Sequence, residues 1–119
     1  MDEQHLSDLL ARLDRQLRRF PAGACCADCG ERNRLLLCRS GKAIVCYRCR
    51  VQRRGCSERE LHHLGGRPSD VTVPVAPNLH RLLTALQDLW RGWLEPGSNE
   101  AILFDLYIWR VLGSSLADQ

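Results

Sequence analysis

The sequence predicts a small α+β domain with a cysteine-rich core and flanking α-helices. Its 119 residues, 45% of them hydrophobic, suit one compact domain with a packed core. Apolar residues recur at helical spacing near both ends of the chain. Between these ends, two short apolar runs, Leu35–Cys38 and Ala43–Cys46, flank the turn-forming sequence Arg-Ser-Gly-Lys and predict a β-hairpin.

Residues 1–21 form the first predicted unit, an amphipathic helix. Its apolar side chains fall on one stripe, made of Leu6, Leu9, Leu10, Leu13, Leu17 and Phe20. Basic side chains concentrate near its end, where they suit the helix dipole, and Pro21 and Gly23 terminate it. We expect this helix to pack on the domain, and binding of a partner is the alternative.

Four of the seven cysteines form two Cys-x-x-Cys pairs in the second unit, residues 22–81. Sixteen residues separate Cys26 and Cys29 from Cys46 and Cys49. This spacing is typical of a zinc site in which a hairpin brings two thiolate pairs around one ion. Four thiolates complete a tetrahedron, so the predicted cofactor is a structural Zn²⁺. The predicted core is therefore a zinc ribbon or a treble-clef-like finger.

The other three cysteines have separate interpretations. Cys25 is an alternative to Cys26 as a ligand, and Cys38 is predicted to pack in the hairpin as a small apolar residue. Cys56 stands six residues before His62 and is a candidate for a second metal site. The polar segment 51–59 is predicted to be irregular.

Residues 82–119 complete a predicted C-terminal helical hairpin. Its first helix begins in the preceding unit with Asn78 as the predicted N-cap, and the sequence EPGSN ends the helix and supplies a Ser98 or Asn99 cap for the next one. The last helix, residues 101–112, is apolar at ten of its twelve positions. A helix that is apolar all round is either buried in its own domain or docked on a protein partner or a second copy, which would make a homodimer.

Basic residues concentrate in the middle of the chain. Between Gly30 and Arg59 nine basic side chains face two acidic ones, and 16 of the 17 basic residues of the chain are arginine, which suits bidentate phosphate contacts. The pattern predicts nucleic-acid binding, with DNA favoured. The predicted phosphate contacts in this segment are Arg48, Arg50, Arg53 and Arg54. Arginine-rich coding bias and compensation of the negative charge of a four-thiolate site are the alternative explanations.

Three segments carry a resemblance to a known family: CADCGE at 26–31, ELHHLGGR at 60–67 and TVPVAPNLHR at 72–81. Together they resemble the small bacterial and phage members of the His-Me finger, or HNH, endonucleases. The resemblance implies that His63 is the general base that activates water. It also implies that His62 and His80 hold a divalent cation, and that Arg67 holds a phosphate. The pattern is degenerate, because no asparagine stands eight or nine residues before His80.

The histidines therefore have three interpretations: a structural or relic cluster, a non-catalytic second divalent-cation site that includes Cys56, and an active nuclease centre. The predicted function is a zinc-stabilised module that binds nucleic acid and protein. The alternatives are a metal-dependent endonuclease and a protein-interaction adaptor of a phage or defence-system complex. The first residues resemble no signal peptide and no apolar run approaches membrane-spanning length, so we expect a cytoplasmic protein without a membrane partner.

Overall fold

The computed structural model describes residues 3–56 and 59–115. In chain order the elements are α1 (Glu3–Arg18), a 3₁₀ turn (Arg34–Leu36), β1 (Leu37–Ser40), β2 (Ala43–Cys46), α2 (Tyr47–Arg53), β3 (Glu60–His63), β4 (Thr72–Val75), α3 (Pro77–Trp90) and α4 (Asn99–Ser115). The predicted α+β fold class is confirmed. None of the described helices combines the length and the apolar character needed to cross a membrane. Residues 1, 2, 57, 58 and 116–119, which the three predicted units include, lie outside the described residues.

The first hairpin pairs β1 with β2 in antiparallel register, with Leu37 opposite Cys46 and Ser40 opposite Ala43. Its first strand begins two residues later than predicted. The reason is local: the side chain of Asn33 accepts a hydrogen bond from the Leu35 N–H at 3.0 Å and caps a 3₁₀ turn in place of the expected strand start.

Helix α2 follows β2 directly. The Cys46 Sγ accepts the Cys49 N–H at 3.5 Å and acts as the N-cap of this helix. The prediction that residues 51–59 are irregular is wrong for the first three, because α2 continues to Arg53. A helix of seven residues is too short to show an apolar period, so the sequence carried no signal for it. The order of a cysteine knuckle, a hairpin and a helix is the treble-clef arrangement.

The second hairpin pairs β3 with β4, and Glu60 lies opposite Val75 and His63 opposite Thr72. The histidine pair therefore stands on a strand, which the sequence patterns did not predict. Neighbouring residues of a strand point to opposite faces of the sheet, so this strand separates the side chains of His62 and His63.

Helix α1 buries only part of its predicted stripe. Leu9 is buried, and so is Phe20 just beyond the helix end, whereas Leu6 and Leu10 are exposed. The Arg34 guanidinium donates to the Leu17 carbonyl oxygen at 2.9 Å. This bond satisfies a carbonyl near the helix end and ties α1 to the 3₁₀ turn.

Helices α3 and α4 form the second core of the molecule. Val75, Leu79 and Leu83 are buried together, and Ile108 and Leu112 of α4 are among the residues packed against them. The predicted boundary between residues 81 and 82 falls inside α3. Ser98 caps α4 as expected, because its Oγ accepts the Ala101 N–H at 3.1 Å.

Asn78 is not the N-cap of α3, contrary to the prediction. Ala76 occupies that position and Pro77 stands in the first turn, where its fixed φ suits a helix start. The Asn78 side chain is buried and its Oδ1 accepts the Arg48 backbone N–H at 3.0 Å. Asn78 therefore links α3 to the part of the chain that carries the two cysteine pairs, residues 20–53, which is called the cysteine finger below.

Candidate metal centre and histidine cluster

The four predicted metal ligands come together in one cluster. The Sγ atoms of Cys26, Cys29, Cys46 and Cys49 all lie within 4.8 Å of one another. Three of these cysteines are at most 2% exposed, and Cys29 lies at the surface. The four thiols are arranged to hold one metal ion.

Backbone hydrogen bonds hold the first cysteine pair in a knuckle. The Gly30 N–H donates to the Cys26 carbonyl oxygen at 2.9 Å, and the Cys26 N–H donates to the Glu31 carbonyl oxygen at 2.8 Å. Gly30 has φ of 85°, a left-handed conformation that a side chain would disfavour. The Ala27 N–H donates to the Ile44 carbonyl oxygen at 2.8 Å, which fastens the knuckle to the hairpin.

The spacing of the sulfurs fits a tetrahedral thiolate site. The Sγ atoms of Cys29 and Cys46 are 3.7 Å apart. Four sulfurs at about 2.3 Å from a central Zn²⁺ would be about 3.8 Å apart. Four soft thiolates are also the donor set that suits Zn²⁺ rather than a hard cation. The residues present therefore fit a structural zinc ion.

The thiols of the cluster differ in acidity. Burial raises the pKa of Cys26, but hydrogen bonds from the backbone of Cys46, Cys29 and Asp28 outweigh it and lower the pKa to about 6. Burial, the largest cause, raises the pKa of Cys29 and of Cys49, and neighbouring sulfurs raise the Cys49 pKa further. A bound cation would favour the ionised form of these two thiols, which is the usual coupling of metal binding to proton release.

Arg48 compensates the charge of the cluster. Burial lowers the pKa of its guanidinium, but a hydrogen bond with Cys49 and the charges of the neighbouring cysteines outweigh burial and raise it. The arginine therefore stabilises ionised sulfur. One of the explanations left open for the basic segment, compensation of thiolate charge, accounts for this residue.

Two more of the predicted phosphate contacts also have protein partners. The Arg50 guanidinium lies 5.0 Å from the centroid of the Tyr47 ring, a cation–π contact. Arg53 donates from Nε and Nη2 to the two carboxylate oxygens of Asp28 at 2.6 and 2.8 Å, and this hydrogen bonding lowers the pKa of Asp28. Because Asp28 lies inside the cysteine knuckle, the pair braces α2 against it.

Arg54 and Arg67 differ from these three arginines. Both side chains are exposed, and neither takes part in an ion pair among residues 3–56 and 59–115. Arg54 caps the end of α2, and Arg67 lies in the loop between β3 and β4. They are the two predicted phosphate contacts that are exposed and have no ion-pair partner among these residues.

The three cysteines outside the cluster take separate places. Cys25 is exposed, so Cys26 is the ligand position of the first pair. Cys38 packs beside Phe20 and Val45 in the hydrophobic core of the finger, which confirms its predicted packing role. Cys56 is exposed, and its Sγ lies 3.8 Å from the Arg54 carbonyl oxygen.

A buried carboxylate binds the end of β3 and the loop after it, residues 62–71, which are called the histidine loop below. His62 is 1% exposed, and its Nε2 donates to the Oδ2 of Asp105 at 2.9 Å. The same oxygen accepts the Gly65 N–H at 2.8 Å and the Gln87 side-chain amide at 3.1 Å. One carboxylate of α4 thus binds β3, the loop after it and α3. The other oxygen, Asp105 Oδ1, is buried without a hydrogen-bond partner among the described residues. The three bonds to Oδ2 make this acid a structural anchor.

Gly65 lets α4 approach the loop closely. Its φ is 82°, and a Cβ built there would lie 2.7 Å from the Ile102 side chain and 2.9 Å from its backbone nitrogen. The Gly65 carbonyl oxygen accepts the Gly97 N–H at 2.8 Å. Only glycine fits this position.

The other two histidines have their own partners. The His63 Nδ1 donates to the Ser69 carbonyl oxygen at 3.0 Å, on the opposite side of β3 from His62. The His80 Nδ1 bonds to the Glu60 carboxylate, and its ring meets the His62 ring edge-on with 5.5 Å between centroids. The structure therefore brings His62 and His80 together and turns His63 away from them.

Within the part of the chain that the structure describes, the four cysteines are the one group of three or more side chains placed to hold a metal. The second cation site at His62, His80 and Cys56 stays a prediction. Sequence reasoning missed Asp105 and Gln87. A signal existed for Asp105, since it is one of only two polar residues in the apolar segment 101–112 and a buried acid needs a partner.

Comparisons with known proteins assign no family. No protein-family model, no curated protein and no solved structure matches this chain. The resemblance to His-Me finger endonucleases therefore depends on the three quoted motifs, and function has to be argued from the site itself.

Proposed function

We propose that this protein is a zinc-stabilised, non-catalytic module that binds nucleic acid beside the metal centre and protein through α4. The observation that carries the proposal is the closed cysteine cluster next to an arginine-rich helix. Four thiolates would fill every position of a tetrahedral ion, so the ion has no site for substrate. Helix α2 and its C-cap carry Arg48, Arg50, Arg53 and Arg54 directly beside that cluster.

The nucleic-acid part of the proposal rests on exposed arginines whose guanidinium groups form no ion pair with the described acidic side chains. Arg54 and Arg67 are exposed, and neither forms an ion pair with another of the residues that the structure describes. Guanidinium groups contact phosphates whatever the base sequence. We therefore expect weak binding that depends strongly on salt and weakly on sequence.

The burial of His62 favours a non-catalytic role for the histidines. A general base and its metal ligands must face the same scissile phosphate. Here His63 and His62 point to opposite sides of β3, and His62 is 1% exposed and bonded to Asp105. These contacts support a structural role for the His-His pair.

Replacing Arg54 and Arg67 together by alanine should weaken binding to duplex DNA. Each phosphate contact contributes a slope of about −0.9 in a plot of log affinity against log salt, so the double variant should have a slope shallower by about 2. Fluorescence anisotropy at several salt concentrations measures it. The matched control is Arg18→Ala, an exposed arginine of α1 paired with Asp14. A wild-type chain without salt-dependent affinity for DNA or RNA would favour the adaptor alternative.

The nuclease alternative has its own assay. We expect no nicking of supercoiled plasmid in Mg²⁺, Mn²⁺ or Ni²⁺, because the residues of the predicted centre do not share one face. Nicking that persists through purification and disappears in His63→Ala, while Cys25→Ser retains it, would contradict the proposal and identify an active centre.

A further inference from the structure

Helix α4 has a buried face and an exposed face. Ala101 and Asp105 are at most 1% exposed, and Ile108 and Leu112 pack on the core formed with α3. The opposite face carries large apolar side chains: Leu103 is 65% exposed, Phe104 39%, Tyr107 64% and Val111 46%. These four residues, called the outer stripe below, recur at intervals of three and four, as in a helix-pairing seam.

The outer stripe is unusual for a surface that meets only water. It extends over about 12 Å of helix, from residue 103 to residue 111 at about 1.5 Å per residue. Two of its four members are aromatic, a residue type enriched where proteins meet. A contiguous apolar patch of this kind marks an interaction site.

Charge at the two ends of the stripe indicates which partner fits. Glu100 stands exposed at the start of α4, and Arg110 stands exposed ten residues later, about 80° from it around the helix axis. Arg110 also interacts within its own chain. A second α4 that runs antiparallel would present its arginine to the glutamate of the first, and its glutamate to the arginine.

One register aligns the charged pair and one apolar pair of the stripe. Residues 100 and 110 are centred on position 105, and so are residues 103 and 107. A two-fold axis on the exposed face of the helix, level with position 105, therefore sets Glu100 against Arg110 and Leu103 against Tyr107 of the other copy. An isologous interface requires this kind of self-complementary surface.

We propose that the outer stripe of α4 pairs antiparallel with the same stripe of a second copy of this chain. The inference names the partner in the protein-binding half of the proposed function, and it does not depend on nucleic-acid binding. One helix face per copy is a small interface, below about 1,200 Å² in total. The dimer is therefore weak, with a dissociation constant on the order of 10 µM.

Sedimentation equilibrium of the full, metal-loaded chain from 1 to 200 µM, without nucleic acid, tests the proposal. We expect a monomer–dimer equilibrium. Glu100→Arg and Arg110→Glu should each weaken the dimer about fivefold, because each places like charges together twice. The double variant should return to within about twofold of the wild type, since both pairs re-form with reversed sign.

Tyr107→Lys should give a monomer at 200 µM, whereas Leu61→Lys, at an apolar residue of β3 that is 63% exposed, should leave the dimer intact. Circular dichroism and metal content confirm that each variant is folded. A wild-type monomer at 200 µM would overturn the proposal, as would a dimer that survives Tyr107→Lys or a double variant that stays weak. Unchanged DNA affinity in the monomeric variants would leave the nucleic-acid proposal standing.

Discussion

Replacing Cys49 by serine, or removing the metal with a chelator, will unfold the cysteine finger. Three of the ligand cysteines are buried in one hydrophobic cluster with Phe20, Leu37 and Val45. We therefore expect this cluster to lose its packing when the cysteines no longer hold an ion. Structural thiolate sites contribute roughly 10 kcal/mol or more to folding, about as much as the whole stability of a typical domain. We expect one zinc per chain by native mass spectrometry, and loss of amide protection in the finger when the zinc is removed.

The neighbouring cysteine supplies the control for this experiment. Cys25→Ser changes the same atom one residue away from a ligand, and Cys25 is exposed and outside the cluster. This variant should keep its zinc and its melting temperature. Zinc loss in Cys25→Ser, or a finger that keeps its amide protection without metal, would show that the predicted ligand set is wrong. The α3–α4 core contains no ligand cysteine, so its protection should fall later than that of the finger.

Replacing Asp105 by alanine will destabilise the protein by roughly 3–5 kcal/mol. The substitution removes the acceptor that His62, Gly65 and Gln87 share. The donors of His62 and Gly65 are buried and lose their partner, whereas the Gln87 amide keeps its bond to the His63 carbonyl oxygen. A buried donor without a partner costs about 1–3 kcal/mol. Urea unfolding of the zinc-loaded protein measures the change in unfolding free energy.

Two substitutions calibrate this result. Asp105→Asn keeps one acceptor oxygen in nearly the same place, so we expect a smaller loss of roughly 1–2 kcal/mol. Asp14→Ala removes a carboxylate that is 57% exposed and pairs with Arg18. This substitution should lower the free energy of unfolding by less than about 1 kcal/mol. If Asp105→Ala were as mild as Asp14→Ala, the carboxylate would not be the anchor of the histidine loop.

The metal centre and most helices could be predicted because their signals are local. Cys-x-x-Cys spacing describes one turn of backbone around an ion, and apolar periodicity describes one face of one helix. Cys38 could be assigned to the core of the hairpin for the same reason. The start of α3 could have been placed at Pro77, since a proline in the first turn is itself a start signal.

The histidine cluster could not be predicted because its partner is remote. His62 and Asp105 are 43 residues apart, and nothing in either neighbourhood specifies the other. Glu60–His63 lacks the alternating pattern of a typical strand, so the opposite orientations of the two histidines could not be deduced. The partner of Arg53 could not be predicted for a similar reason: the sequence shows that Arg53 is basic but not that Asp28 lies 2.6 Å from it.

The bond between the Asp105 carboxylate of α4 and the β3–β4 loop limits which sequence changes this chain can tolerate. A fragment ending before Ala101 would lose Asp105 together with the outer stripe. Loss of partner binding in that fragment would therefore not distinguish a missing contact from unfolding of the β3–β4 loop. Within α4, one inserted residue between Ser98 and Asp105 would swing the acid about 100° around the helix axis. During evolution, residues can therefore be added after α4 more easily than the seven-residue spacing between the N-cap Ser98 and Asp105 can be changed.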